Sequence, residues 1–102
     1  MKEIKIKFEA VGSVNTVDEI CNNFYENYPA FAANMEEEDY KYNEKTNEFM
    51  LLWCGEFEDD ELDDDDMNTL IRLTHHAEGF YDDTDAEYVH VEVCVDCKWY
   101  GR

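Results

Sequence analysis

The sequence predicts an α+β domain whose elements follow the order β-α-β-β-α-β. Three observations predict it: an alternating strand at each end of the chain, two helical segments, and a turn-rich hairpin between them. The simplest packing is a ferredoxin-like four-stranded antiparallel sheet with both helices on one face. A chain of 102 residues suffices for a single domain over residues 1–102, and is too short for two.

The first strand and the first helix follow from periodicity. In residues 3–10, apolar side chains alternate with lysines, as in a half-buried strand. Thr16 and Glu19 then form a capping-box pattern. Apolar residues continue at helical spacing until Pro29 ends the helix. These residues are Val17, Ile20, Cys21, Phe24 and Tyr28.

The central hairpin and the second helix are signalled differently. Tyr40 and Tyr42 predict a strand, residues 43–47 a turn, and residues 48–57 its hairpin partner. A helix beginning near Met67 would be capped by Asp66 and end before Gly79. Its apolar face would contain Met67, Leu70, Ile71 and Thr74.

The final strand is predicted over residues 89–97. Val89, Val91, Val93, Val95 and Cys97 alternate there with polar residues and with Cys94.

Charge is the dominant compositional feature. The chain has 27 acidic and 8 basic residues, a net charge of −19, yet it is 44% apolar and 15% aromatic. This aromatic content predicts folding, because disordered acidic chains are poor in aromatics. Solubility needs a net charge of only about 2–8 in a small domain. The negative charge beyond this range repels nucleic acid and anionic membranes and attracts basic proteins.

The acids occur in three runs. Residues 36–39 are all acidic, nine of the eleven residues 56–66 are acidic, and a third group lies at Asp82, Asp83, Asp85 and Glu87. In the predicted topology the first two runs lie in connections at one end of the sheet. We expect them to bind a partner together with Tyr40. The candidate residues are Glu36, Glu37, Glu38, Asp39, Glu56, Glu58, Asp59, Asp60, Glu61, Asp63, Asp64, Asp65 and Asp66.

Rigidly held carboxylates can imitate duplex DNA, which carries roughly one charge per 1.7 Å of its axis. In its small size, acidity and abundance of Tyr, Asp and Glu, the chain resembles the DNA-mimic proteins of phages and mobile elements, including anti-restriction and anti-CRISPR inhibitors. The resemblance lies in composition and carries no motif. It implies an inhibitor that blocks the basic groove of a nucleic-acid-binding protein, such as a CRISPR-Cas or restriction effector. Immunity proteins against basic nucleases have a similar composition.

Metal sites are not expected. Cys94 and Cys97, with Cys54 and His75 or His76, have the ligand types of a zinc site. Within one alternating strand, however, the two cysteines would point to opposite faces. The acidic segment from Asp59 also lacks the glycine and glutamate of a calcium-binding EF-hand loop.

The sequence does not indicate an enzyme. It shows no set of nucleophile, base and orienting residue, no glycine-rich phosphate loop and no cofactor motif. The longest apolar run is shorter than the roughly 20 residues of a membrane span, and the N-terminus lacks a signal-peptide pattern. We therefore expect a cytoplasmic protein, in the host cytoplasm if phage-encoded, with four reduced cysteines.

A second function class is a regulatory, ligand-binding or dimerisation module, for which fold analogy is the basis. If the protein is such a module, we expect an apolar, exposed sheet face or edge. If it is an inhibitor, we expect a continuous acidic face with interleaved aromatic residues. The candidate aromatics are Tyr25, Tyr40, Tyr42, Tyr81 and Trp99.

Overall fold

A computed structural model describes residues 1–75 and 88–101. The five strands in this part of the chain are β1 (Lys2–Val11), β2 (Glu36–Asn43), β3 (Glu48–Phe57), β4 (Tyr88–Val95) and β5 (Lys98–Tyr100). The three helices are α1 (Val14–Asn27), α2 (Pro29–Ala32) and α3 (Asp64–His75). The predicted first strand, first helix and central hairpin are confirmed, with ends that differ by a few residues.

One sheet contains all five strands in the order β2-β3-β1-β4-β5, and every neighbouring pair is antiparallel. The predicted four-stranded sheet with two helices in a ferredoxin-like order is therefore wrong. Two local features cause the difference. The predicted strand 89–97 turns back after Val95 and forms β5, and Pro29 begins a short helix of its own. Proline suits the first turn of a helix because it has no N–H to leave unpaired.

Helices α1 and α3 pack on the same face of the sheet. Their buried residues form one cluster with the inward-facing residues of β1, β3 and β4. The helices contribute Val17, Ile20, Phe24, Leu70 and Leu73, and the strands contribute Ile4, Ile6, Phe8, Leu51, Trp53, Val91 and Val93. The shared core expected from the apolar spacing of the two helices is confirmed.

Aromatic stacking fixes α1 over the middle of the sheet. The rings of Phe24 and Trp53 are parallel within 7°, and their centroids lie 4.6 Å apart. The Phe8 ring meets both edge-on, at centroid distances of 5.0 Å to Trp53 and 6.0 Å to Phe24. Edge-on and offset arrangements of this kind suit the charge distribution of aromatic rings. All three side chains are buried.

The two long helices begin earlier than expected. At α1, the backbone N–H of Ser13 donates to Thr16 Oγ1 at 3.1 Å, so the cap uses Ser13 and Thr16 in place of Thr16 and Glu19. At α3, the cap is Asp63 in place of Asp66, because Asp63 Oδ1 accepts the N–H of Asp66 at 2.8 Å. The Asp63 cap satisfies a helix N–H group that has no partner within α3, whereas the α1 cap satisfies the N–H of the N-cap residue itself.

We expect Phe24→Ala to lower the free energy of unfolding by about 3–5 kcal/mol, because it removes a fully packed ring from the core. Tyr25→Ala changes the neighbouring residue, whose side chain is 52% exposed, and should cost less than about 1 kcal/mol. Urea denaturation followed by circular dichroism measures both. Equal losses in the two variants would contradict the packing described for α1.

Candidate protein-binding site at the acidic pole

The two acidic runs meet at one end of the sheet, here called the acidic pole (residues 36–39 and 56–66). Strand β2 begins there and β3 ends there, with Glu36 paired to Cys54. A groove of about 680 Å³ at this end is lined by Glu36, Glu37, Glu38 and Glu56 among others. The topology therefore brings together the two runs that were expected to bind a partner.

Gly55 allows this close approach. A Cβ at this position would lie 2.5 Å from the carbonyl oxygen of Asn34, a distance that side-chain carbons do not tolerate. The chain entering β2 thus crosses directly over the end of β3. Glycine is required here by space, since any larger residue would push the two runs apart.

The first run differs from its expected position. Residues 36–39 were expected in a connection, but they form the first half of the edge strand β2. Their ladder to β3 shifts register between Glu37 and Asp39, which leaves Glu38 in a bulge. Glu36, Glu37 and Glu38 are exposed. Charged side chains on an edge strand discourage further strand pairing, and the ladder keeps this run extended.

The second run is held by its two apolar residues. Phe57 is fully buried and Leu62 is 5% exposed, and both belong to the core cluster. Anchors on both sides fix the turn that carries residues 58–61. The acids between and beyond them are thereby directed into solvent.

Several acids of the pole serve the fold itself. Asp63 and Asp66 cap α3 reciprocally, because the N–H of Asp63 also donates to Asp66 Oδ2 at 3.2 Å. Glu61 Oε1 accepts the N–H of Glu58 at 3.0 Å, and its Oε2 lies 3.5 Å from the side-chain amide of Asn34. Removing these carboxylates would disturb the local structure as well as the charge.

Two further acids have local partners. Asp39 Oδ1 accepts the N–H of Tyr40 at 2.9 Å. Asp59 lies 3.6 Å from the N-terminal ammonium of Met1 in an exposed ion pair, a kind that contributes little to stability.

In the part of the chain that the structure describes, the remaining acids of the pole have no such local partners. Among the described residues, no hydrogen bond or ion pair engages the side chains of seven of them, and all seven are exposed. They are Glu36, Glu37, Glu56, Glu58, Asp60, Asp64 and Asp65. The sequence did not distinguish these from the structural acids, because that difference depends on the start of α3 and on the turn before it.

The negative potential of the pole is visible in neighbouring thiols and phenols. Burial, together with the nearby carboxylates of Glu37 and Asp18, raises the pKa of Cys21 to about 11. Burial also raises the pKa of Cys54, whose thiol is hydrogen-bonded to Glu38. An anion is disfavoured beside like charges, so both thiols remain neutral at physiological pH.

The candidate aromatics divide into exposed and packed residues. Tyr25 and Tyr40 are exposed, and Tyr40 lies on β2 immediately after the first acidic run. Burial and then nearby groups, including Glu37, raise the pKa of Tyr40. Tyr42 instead stacks on Phe49 with centroids 6.4 Å apart. Trp99 is partly buried on β5.

Some sequence expectations lie outside the described residues. These are the third acidic group at Asp82, Asp83, Asp85 and Glu87, together with His76, Gly79 and Tyr81.

The motif formed by Cys94 and Cys97 is placed differently from the expectation. Cys94 lies in β4, but Cys97 lies in the turn before β5, so strand alternation does not separate the two thiols. Within residues 1–75 and 88–101, no group of three or more His, Cys, Asp or Glu side chains could hold a metal ion.

The face of the sheet opposite α1 and α3, here called the open face, carries paired charges. Lys7 Nζ lies 2.9 Å from Glu9 and 3.4 Å from Glu92, and His90 Nε2 lies 3.3 Å from Glu92. These residues come from β1 and β4, which are adjacent. The hydrogen bond to Glu9 is the main cause that raises the pKa of Lys7. The sequence analysis missed this network, which only the register reveals.

Comparison of the chain with protein-family models, curated proteins and solved structures finds no match. In the described part of the chain, no helix has the length and apolar character needed to cross a membrane.

We expect the alkylation rate of Cys21 to rise with a midpoint near its pKa of about 11. Because the fold favours the neutral thiol, the associated stability is present below the ordinary pKa of 9.0 and is lost as pH rises through about 11. Glu37→Gln should lower this midpoint, whereas Glu44→Gln, in the distant hairpin turn, should not. The measurement is iodoacetamide labelling of the Cys21 peptide against pH. Identical midpoints in both variants would contradict the negative potential.

Asp63→Ala should lower the free energy of unfolding by about 0.5–2 kcal/mol, because α3 loses its cap. Asp64→Ala removes the same charge from the next residue but leaves the cap intact, and should cost less. Thermal or urea unfolding distinguishes the two. If both variants lose the same stability, Asp63 does not have the structural role described here.

Proposed function

We propose that this protein is a non-enzymatic inhibitor that binds the basic groove of a nucleic-acid-binding protein, with its acidic pole in place of the nucleic acid. A CRISPR-Cas or restriction-type effector is the proposed class of target. One observation carries the proposal: seven exposed carboxylates without local partners lie on two segments held at one end of the sheet.

Rigidity supports this role. The ladder to β3 holds the first run, and Phe57 and Leu62 hold the second. A pre-ordered surface loses little conformational entropy when it binds. Duplex DNA also presents fixed charges at close spacing, and a basic groove that accepts it favours a similar array.

Net charge supports the same class of partner. At −19, the protein repels nucleic acid and anionic membranes and is attracted to basic protein surfaces. Such attraction brings association rates towards about 10⁸–10⁹ M⁻¹s⁻¹ at low salt. We place the protein in the cytoplasm, where its target acts on nucleic acid, and propose no cofactor.

A second candidate is a ligand-binding or dimerisation module that uses the open face. A groove of about 600 Å³ at one end of the sheet favours it, with Val11, Met50 and Tyr88 among its lining residues. Against it, the ion pairs of Lys7 with Glu9 and Glu92 make the open face charged rather than apolar. An immunity protein against a basic nuclease would use the acidic pole in the same way, and the identity of the target distinguishes it.

The test begins with a host extract passed over the immobilised protein at low salt and eluted at high salt. The partner is then purified for binding kinetics. One pole variant combines Asp64→Asn with Asp65→Asn, another combines Glu36→Gln with Glu37→Gln, and a third contains all four changes. The control variant, Glu44→Gln with Glu48→Gln, removes two exposed charges outside the pole. None of these changes touches a capping residue.

The four-residue variant should associate roughly tenfold more slowly at low salt, with a smaller change in dissociation, as expected for exposed interface charges. The control should associate at nearly the parent rate. The difference should shrink as salt rises, because exposed charges are screened within about 8 Å at physiological ionic strength. The proposal fails if the four-residue variant binds as fast as the parent, or if the partner binds its own DNA or RNA without competition.

A further inference from the structure

The turn between β4 and β5 has an uncommon residue at its second position. Val95 pairs with Lys98, so Asp96 and Cys97 form a two-residue hairpin loop. Their φ angles are +48° and +71°, as in a type I′ turn, where Asn-Gly and Asp-Gly are strongly preferred. Cysteine is disfavoured in this left-handed region. Cys97 therefore has a backbone cost that glycine would avoid at this position.

The second thiol of the motif lies beside this turn. Cys94 is 3% exposed, and its thiol accepts a hydrogen bond from the backbone N–H of Cys97. Cys97 itself is exposed. The turn therefore places a solvent-accessible thiol next to a buried one, without a strand between them.

We propose that Cys94 and Cys97 form a reversible intrachain disulfide when the protein meets a low-molecular-weight disulfide such as oxidised glutathione. Cys97 is the residue that reacts first with the reagent, because its thiol is exposed to solvent. Cys94 is the resolving residue, because it is shielded from the reagent and adjacent to Cys97. This inference is independent of the proposed function.

The reaction has two thiol–disulfide exchanges. First, the deprotonated sulfur of Cys97 attacks oxidised glutathione, the S–S bond breaks, and one glutathione leaves and takes up a proton. Next, the deprotonated sulfur of Cys94 attacks the Cys97 sulfur of the mixed disulfide, and the second glutathione leaves with a proton. The protein dithiol has then lost two electrons, and one glutathione disulfide has become two thiols.

The other cysteines are poorly placed to compete. Lys5 pairs with Cys54 on one side and with Cys94 on the other, so a whole strand separates these thiols. Two interstrand spacings amount to about 9.6 Å, beyond the roughly 7 Å that a disulfide spans between Cα atoms. Cys21 lies on α1 and is half-buried. Oxidation should therefore join one specific pair.

The cross-link would stiffen the hairpin where it joins β1. The N–H of Asp96 donates to the carbonyl of Glu3 at 3.0 Å, and the N–H of Glu3 donates to Asp96 Oδ1 at 3.0 Å. A disulfide across the same turn restricts its opening. Amide exchange in β5 should slow on oxidation.

The test incubates the full chain, folded by circular dichroism, in glutathione redox buffers, followed by peptide mass spectrometry. The parent should lose two of its four thiols, both within the peptide containing Cys94 and Cys97. Cys94→Ser should accumulate glutathione on Cys97, since nothing resolves the adduct. Cys97→Ser should leave Cys94 unmodified. Cys97→Gly is the fold-preserving control, because glycine suits the turn, and it should also lose the reaction.

Three results would overturn the inference. The pair could stay reduced in buffers that oxidise a solvent-exposed dithiol peptide of the same sequence. The glutathione adduct could persist on Cys97 of the parent as it does in Cys94→Ser. Elemental analysis could find stoichiometric zinc that protects both thiols, which would make Cys94 and Cys97 metal ligands.

Discussion

The structure depends on an aromatic core that outweighs the mutual repulsion of its carboxylates. Phe24 on α1 stacks on Trp53 of β3, and Phe8 of β1 closes against both. This cluster holds the main helix over the centre of the sheet. At a net charge of −19, self-repulsion opposes any compact state. Apolar burial is the dominant favourable term in folding, and it is concentrated where the aromatic rings meet.

The fold places the charge at the ends and edges of this core. Phe57 and Leu62 tie the second acidic run to the core from within, while the ladder to β3 extends the first run along an edge. Some carboxylates of the acidic pole are needed by the fold itself, as the reciprocal cap of Asp63 and Asp66 shows. Others have no partner among the described residues. One segment thus contains carboxylates that the fold uses and carboxylates that remain for the proposed binding.

Periodicity predicted the elements better than it predicted their assembly. Strand β1, helix α1 and the hairpin of β2 and β3 carry alternation or helical spacing that burial enforces. Strand β5 was not predicted from the sequence, because the turn at Asp96 and Cys97 lacks the glycine that signals a hairpin. The acidic residues 36–39 have a low intrinsic preference for strands. They form part of a strand because they pair with β3. The network of Lys7 with Glu92 joins residues far apart in sequence, so the sheet register alone brings them together.

The proposed function requires that the acidic pole, and not the open face, meets the partner. The most direct measurement is a map of backbone amide chemical shifts in the labelled protein, with and without the purified partner. Binding through the acidic pole should concentrate the changes in the first half of β2, the connection from β3 to α3, and the first turn of α3. Changes concentrated instead around Lys7, Met50 and Tyr88 on the open face would contradict it.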